Sequence, residues 1–213
     1  MRLPALGLAL AAAPVAAQER LTGKVAVSSV EHRARAVPSP RVERSTGVFL
    51  GGGVQYQVTG WVSVELDVWA GALRGRTEGT IDRDAAQLSL SAGVPATSWL
   101  TVEGGVERRV YSSVVARQGW TIVRVGAEAH FDLLGGAAAG IARLHYLPSV
   151  AVRDLGPPDF ALVAAAGMEY RVGPATLRIL YDVERVDFPE RNGTRWIEEL
   201  SALSVTLGLR LGR

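Results

Sequence analysis

The sequence predicts an all-β fold, a single antiparallel up-and-down transmembrane β-barrel of about ten strands, with eight as the alternative count. Three observations carry it. Long segments between residues 46 and 213 place an apolar side chain at every second position, the period of a strand with one greasy face. Tight turns near Thr59, Pro95–Ser98, Leu134–Gly136 and Gly173–Pro174 divide those segments almost evenly. After the first residues, no stretch approaches the ~18 consecutive apolar residues of a spanning helix. A chain of this kind crosses a bilayer with strands, whose backbone groups are satisfied only in a closed barrel.

The N-terminus reads as an export signal, residues 1–17. Arg2 is the positive region, Leu3–Ala13 the short apolar core, and Val15-Ala16-Ala17 the small residues before a cut. Residues 18–213 are then the barrel domain. A first strand at about 20–31 alternates Val25 and Val27 with Lys24, Ala26 and Ser28. The connection 32–45 is polar, carrying Arg33, Arg35, Arg41 and Arg44 against Glu43. The second strand, about 46–58, sets Val48, Leu50, Val54 and Tyr56 against Gly51, Gly53, Gln55 and Gln57. After the Thr59-Gly60 turn the third, about 61–73, sets Val62, Val64, Leu66 and Val68 against Ser63, Glu65, Asp67 and Trp69.

The remaining strands repeat the alternation. The fourth, about 85–94, exposes Leu88, Leu90 and Val94; the fifth, about 99–110, opposes Leu100, Val102 and Val106 to Glu103 and Glu107. The sixth, about 120–132, opposes Val123, Val125 and Phe131 to Arg124, Glu128 and His130. In the Ala-rich seventh, about 137–147, Leu144 and Tyr146 point out, and Ile141, Arg143 and His145 point in. The eighth, about 160–172, sends Glu169 and Arg171 inward; the ninth, about 175–186, Arg178, Asp182 and Glu184; the tenth, about 199–211, Thr206 and Arg210. An even strand count puts both ends on one side, with short turns periplasmic and the connections 32–45, 74–84, 111–119, 148–159 and 187–198 outside. Tyr56, Phe131 and Tyr170 then lie near one interface and Tyr146 near the other, as aromatic girdles do.

Composition narrows the function. Cysteine is absent, so thiolate chemistry, disulfides and Cys-bound metal are excluded. A net charge of +2, with Lys24 the only lysine, marks an Arg-rich near-balance. No basic stripe interleaved with aromatics points to nucleic acid.

With its turns and alternation in place, the chain resembles the small outer-membrane β-barrel proteins of Gram-negative bacteria, the OmpA/OmpX/OmpW-like group, over about residues 20–213. It departs from them at the end: Gly208-Leu209-Arg210-Leu211 keeps the alternation, but no terminal aromatic follows. Val186-Asp187-Phe188-Pro189 resembles a recurrent last-hairpin pattern in such barrels. The resemblance implies the outer membrane as location, its lipid and lipopolysaccharide as partners, and the barrel-assembly machinery during insertion; it names no protein partner and no cofactor.

The inward face holds the chemistry. Glu65, Asp67, Glu103, Glu107, Glu128, Glu169, Asp182 and Glu184 face Lys24, Arg124, Arg143, Arg171, Arg178 and Arg210, and a narrow lumen requires them to pair. Such a network serves as a structural filling or sets the selectivity of a narrow, porin-like solute path. Arg33, Arg35, Arg41 and Arg44 suit the phosphates of lipopolysaccharide. The scattered His32, His130 and His145 form no metal cluster. The reading is a non-enzymatic integral barrel with a structural, surface or narrow-passage role. One alternative is a soluble periplasmic barrel with an apolar ligand inside it. The other is a rim hydrolase built on His145 with Ser112 or Ser113. Outer-membrane proteases of the omptin kind also use ten-stranded rims, but no residue pattern here matches theirs.

Overall fold

In the computed structural model the chain closes into one ten-stranded antiparallel barrel. The structure describes residues 21–133, 135, 137–152 and 155–211. The export signal read at residues 1–17 lies outside them. The strands are β1 Leu21–Val37, β2 Val42–Thr59, β3 Val62–Gly75, β4 Arg83–Pro95, β5 Leu100–Ser113, β6 Arg117–Asp132, β7 Ala138–Val152, β8 Phe160–Val172, β9 Ala175–Asp187 and β10 Arg195–Leu211. Each pairs with its sequence neighbour, and β1 pairs with β10 from Leu21↔Leu211 to Val37↔Arg195, so no edge is left open there. Both ends of the barrel lie on one rim, the terminal rim. Gly173 in the β8–β9 turn and Gly135 in the β6–β7 turn take positive φ, the backbone geometry that glycine adopts without a Cβ clash.

The strands are tilted. A hydrogen-bonded row that starts at Lys24, close to the terminal rim, runs through Gly53, Asp67, Ser89, Glu107 and Ile122 to Val150, near the distal end of β7. This stagger is what closure of a sheet demands. It brings residues far apart in sequence to one height.

The predicted parity holds on every strand. Val25, Leu50, Leu88, Val106, Leu144, Met168 and Leu207 face out and are exposed; Leu50 is 67% exposed. The inverted arrangement of a soluble, ligand-enclosing barrel is thereby contradicted, because its valine and leucine rows would have to face the axis. Trp61, Trp99, Phe131 and Tyr170 stand exposed around the terminal rim, at interfacial positions.

The strand ends need correction. Residues 32–45 are not a long connection: β1 continues to Val37 and β2 begins at Val42. Likewise β5 and β6 shrink the connection at 111–119 to 114–116, β7 runs on to Val152, and β10 starts at Arg195. Past the hydrocarbon band the outward positions become Glu and Arg, so hydrophobic alternation fades although the ladder continues. The sequence signal is side-chain polarity; the strand is made by backbone pairing.

Inward glycines make room for inward bulk. Gly51 pairs with Trp69, Gly71 with Phe49, Gly126 with His145 and Gly167 with Leu180. A Cβ on Gly51 or Gly71 would enter the aromatic ring of its partner, and one on Gly126 would enter the His145 ring. The Gly51-Gly52-Gly53 run is therefore a packing device within β2.

Candidate functional site

Two tiers of charge fill the lumen beneath an apolar plug. The lower tier lies near the terminal rim, where inward positions of seven strands meet. Lys24 binds Glu65 at 2.5 Å, and Asp67 follows two residues on along the inward face of β3. Glu128 is the hub. It accepts from Arg143 through Nε at 2.8 Å and also through Nη2, and from Arg178 Nη2 at 3.3 Å, and it meets His130 Nε2 at 2.8 Å. Arg178 Nη2 also donates to Glu169 at 2.9 Å, and Glu169 takes Arg171 Nε at 2.7 Å at the solvent edge. Glu103 holds His145 Nε2 at 2.9 Å and stands 3.8 Å from Arg143 Nε.

The second tier is built around Arg109. Its fork grips Glu184 through both arms, at 2.8 and 2.9 Å, while Nη2 also donates to Glu107 at 2.6 Å. Glu107 in turn lies 3.7 Å from Arg124. Asp182 stands among Arg143, Arg109, Glu184 and Glu107. Bidentate contact fixes the guanidinium plane as well as its charge.

Above Arg109 the lumen turns apolar. Phe49, Leu73, Trp120, Ile122, Leu147, Val150, Val152, Val186 and Phe188 form one buried cluster. Trp120 packs edge-on against Tyr111 (6.4 Å between centroids) and Phe188 (6.0 Å). His32 and Glu198 close the polar side of this plug, with His32 Nε2 2.8 Å from Glu198 and Trp196 Nε1 donating to the same carboxylate at 3.0 Å. Leu73 has no exposed surface and Trp120 only 2%, so the distal half of the lumen is packed shut.

Several expectations change here. A lumen filled by ion pairs along its whole height is replaced by one that is ionic in one half and apolar in the other. His32 is an inward strand residue, not a loop residue, and His145, on which the rim-hydrolase alternative was built, is buried against Glu103. Ser113 Oγ donates to the Ala116 carbonyl at the distal tip of β5, while Ser112 faces outward beside it. Arg109, near the end of the predicted fifth strand, is the centre of the second tier. Its parity with Glu103 and Glu107 was the available signal. Phe188, placed in the connection 187–198, tucks inward to cap the plug. Among the described residues no group of three or more His, Asp or Glu is arranged to hold a metal ion.

The arginines expected on an outer loop form a row on the wall instead. Arg44 of β2, Arg33 of β1, Glu199 of β10 and Arg185 of β9 are consecutive cross-strand partners. Arg33 and Arg44 share Glu31, at 2.5 and 2.7 Å. Arg35 and Arg185 flank Glu199 at 3.9 and 3.6 Å, and Asp187 takes Arg185 and Arg195 at 2.8 Å each. Arg33, Arg35, Arg44 and Arg185 keep about half of their side chains exposed. Arg41 stands apart, donating to the Glu78 carbonyl at 3.1 Å.

No known family's sequence profile matches the chain, and no curated protein does. Among solved structures it is similar to the outer membrane protease OmpT from Escherichia coli: TM-score 0.65, 10% identity, covering 90% of this chain and 97% of that one. The translocator domain of the autotransporter NalP from Neisseria meningitidis follows at TM-score 0.46 and 14% identity, over 90% of this chain and 88% of that one. The beta domain of the Bordetella autotransporter BrkA follows at 0.46 and 13%, over 90% and 99%. At such identities the likeness is one of fold: the chain is a closed barrel of the outer-membrane type.

Proposed function

We propose that this protein is an integral outer-membrane barrel, exported by its first 17 residues and inserted by the assembly machinery, with a non-enzymatic structural or surface role and a closed lumen. The observation that carries the reading is the apolar plug seated on the Arg109–Glu184–Glu107 tier. A solute path needs polar lining or water along its length; here Trp120, Ile122, Leu73 and Val186 occupy the axis. In planar bilayers the purified barrel is expected to pass no current, and Glu103→Ala and Arg143→Ala to stay silent as well. Discrete conductance steps in the wild type would replace this reading with the narrow-passage one.

The same reading gives the arginine row a partner. On this reading the terminal rim, which carries the two-residue turns after β2 and β8, faces the periplasm, and the row stands at the outer-leaflet interface. Guanidinium forks of Arg33, Arg35, Arg44, Arg185 and Arg195 outnumber Glu31, Glu199 and Asp187 there, which favours phosphate groups of lipopolysaccharide. Arg33→Ala/Arg44→Ala/Arg185→Ala is expected to lose co-purifying lipopolysaccharide in native mass spectrometry. Unchanged binding would remove the assignment.

A further inference from the structure

The boundary between the apolar plug and the Arg109 tier encloses a small polar gap. Three rings meet around it: His32 and Tyr111 stand 5.7 Å apart by centroid, and Trp120 lies edge-on to Tyr111 at 6.4 Å. Arg109, Glu184 and Glu198 complete its polar lining, and all six residues are at least nine-tenths buried. The gap offers about 10 Å³ to the centre of a water molecule, which is room for one. No larger ligand fits.

The polar atoms around it are incompletely satisfied. His32 Nε2 meets Glu198 at 2.8 Å, but its Nδ1 has no partner, and neither has the Trp120 Nε1–H. Ser45 faces His32 across the β1–β2 ladder, yet its buried Oγ is unpaired too. The Tyr111 hydroxyl receives a long 3.5 Å contact from Arg109 Nη1 and keeps its own proton to place. A buried polar group without a partner is costly, and two such groups border one gap. The indole N–H only donates, whereas a histidine ring nitrogen donates or accepts according to its tautomer. Water does both at once, and Glu184 and Glu198 offer it further acceptors. We infer that this gap is a binding site for one water molecule, which accepts from Trp120 Nε1, bonds His32 Nδ1 and ties the plug to the Arg109–Glu184 pair. The site rests on the closed-lumen reading and deepens it: its water is lodged, not in transit.

The test is nuclear magnetic resonance of the full, isotope-labelled barrel in lipid nanodiscs. Trp120→Phe identifies the Trp120 indole signal by its disappearance. In the wild type that N–H should show a cross-peak at the water frequency with opposite signs in NOESY and ROESY spectra, the mark of a lodged water instead of proton exchange. The cross-peak should persist in Tyr111→Phe and in Ser45→Ala, each of which removes a hydroxyl relay. It should vanish in Leu200→Phe, which fills the gap from β10; the wild-type spectrum decides alone if that variant does not insert. A Trp120 N–H with no such cross-peak would overturn the site. So would a crystal structure in which Trp120 Nε1 or His32 Nδ1 bonds a protein atom directly, Ser45 Oγ included. Water cross-peaks to the Leu73 and Ile122 methyls would instead overturn the closed lumen, so the two failures give different patterns.

Discussion

The two halves of the lumen are built by the same alternation and filled by opposite chemistry. Near the terminal rim, carboxylates and guanidiniums pair around Glu128; near the distal rim, Trp120, Leu73 and Ile122 pack as in a soluble core. The lower half gains specificity from directional contacts, each of which leaves a buried charge stranded if broken. The upper half gains it from shape, with Gly71 and Gly51 making space for Phe49 and Trp69. A barrel this narrow has to be filled, and either chemistry fills it. Only the apolar one also excludes water.

The contrast can be broken from the ionic side first. Arg109→Ala leaves Glu107 and Glu184 facing each other without their shared cation, and is expected to cost about 5 kcal/mol in urea unfolding from lipid vesicles. Trp120→Ala removes the ring between Tyr111 and Phe188; a loss of about 4 kcal/mol is expected from the cavity, read in the same titration. Equal, small losses for both would show that neither half is packed as described. A sharper probe is Gly126→Ala, whose methyl enters the His145 ring and should cost about 2 kcal/mol, while Gly60→Ala at an open turn costs far less.

The smallest effect lies outside both halves, at the β3–β4 connection. The Gly75 amide donates to Asp82 at 2.9 Å, and Arg74 Nη1 donates to it at the same distance. The Gly75 amide first, and then Arg74, hold this carboxyl below its ordinary value. A depressed carboxylate contributes stability above its unfolded pKa and loses it as pH falls through the folded one. Acidification is therefore expected to lower the protection factor of the Gly75 amide, its exchange taken relative to the intrinsic rate at each pH, and Asp82→Asn to remove that pH dependence.

Much of this was legible beforehand. Val62-Ser63-Val64-Glu65-Leu66-Asp67 states its two faces outright, because a strand has a side-chain period of two and only one face meets lipid. Glu65, Glu103, Glu128, Arg143 and Arg178 could be placed inward for that reason. The distal ends could not, since past the hydrocarbon band the outward positions turn charged, and Arg33 and Arg44 read as a loop. Nor could the plug be read: Ile122, Val150 and Val186 are apolar residues at inward positions, and parity says where a side chain points without saying what it meets.

What the sequence settled alone was the barrel itself and the direction of each side chain, since lipid contact imposes a repeat that neighbouring residues display. Tertiary structure decided who meets whom. The partners of Arg109–Glu184 are 75 residues apart and those of His32–Glu198 166 apart. Those encounters are fixed by strand tilt and by the closing β1–β10 register, quantities that belong to the whole ring and to no segment of it.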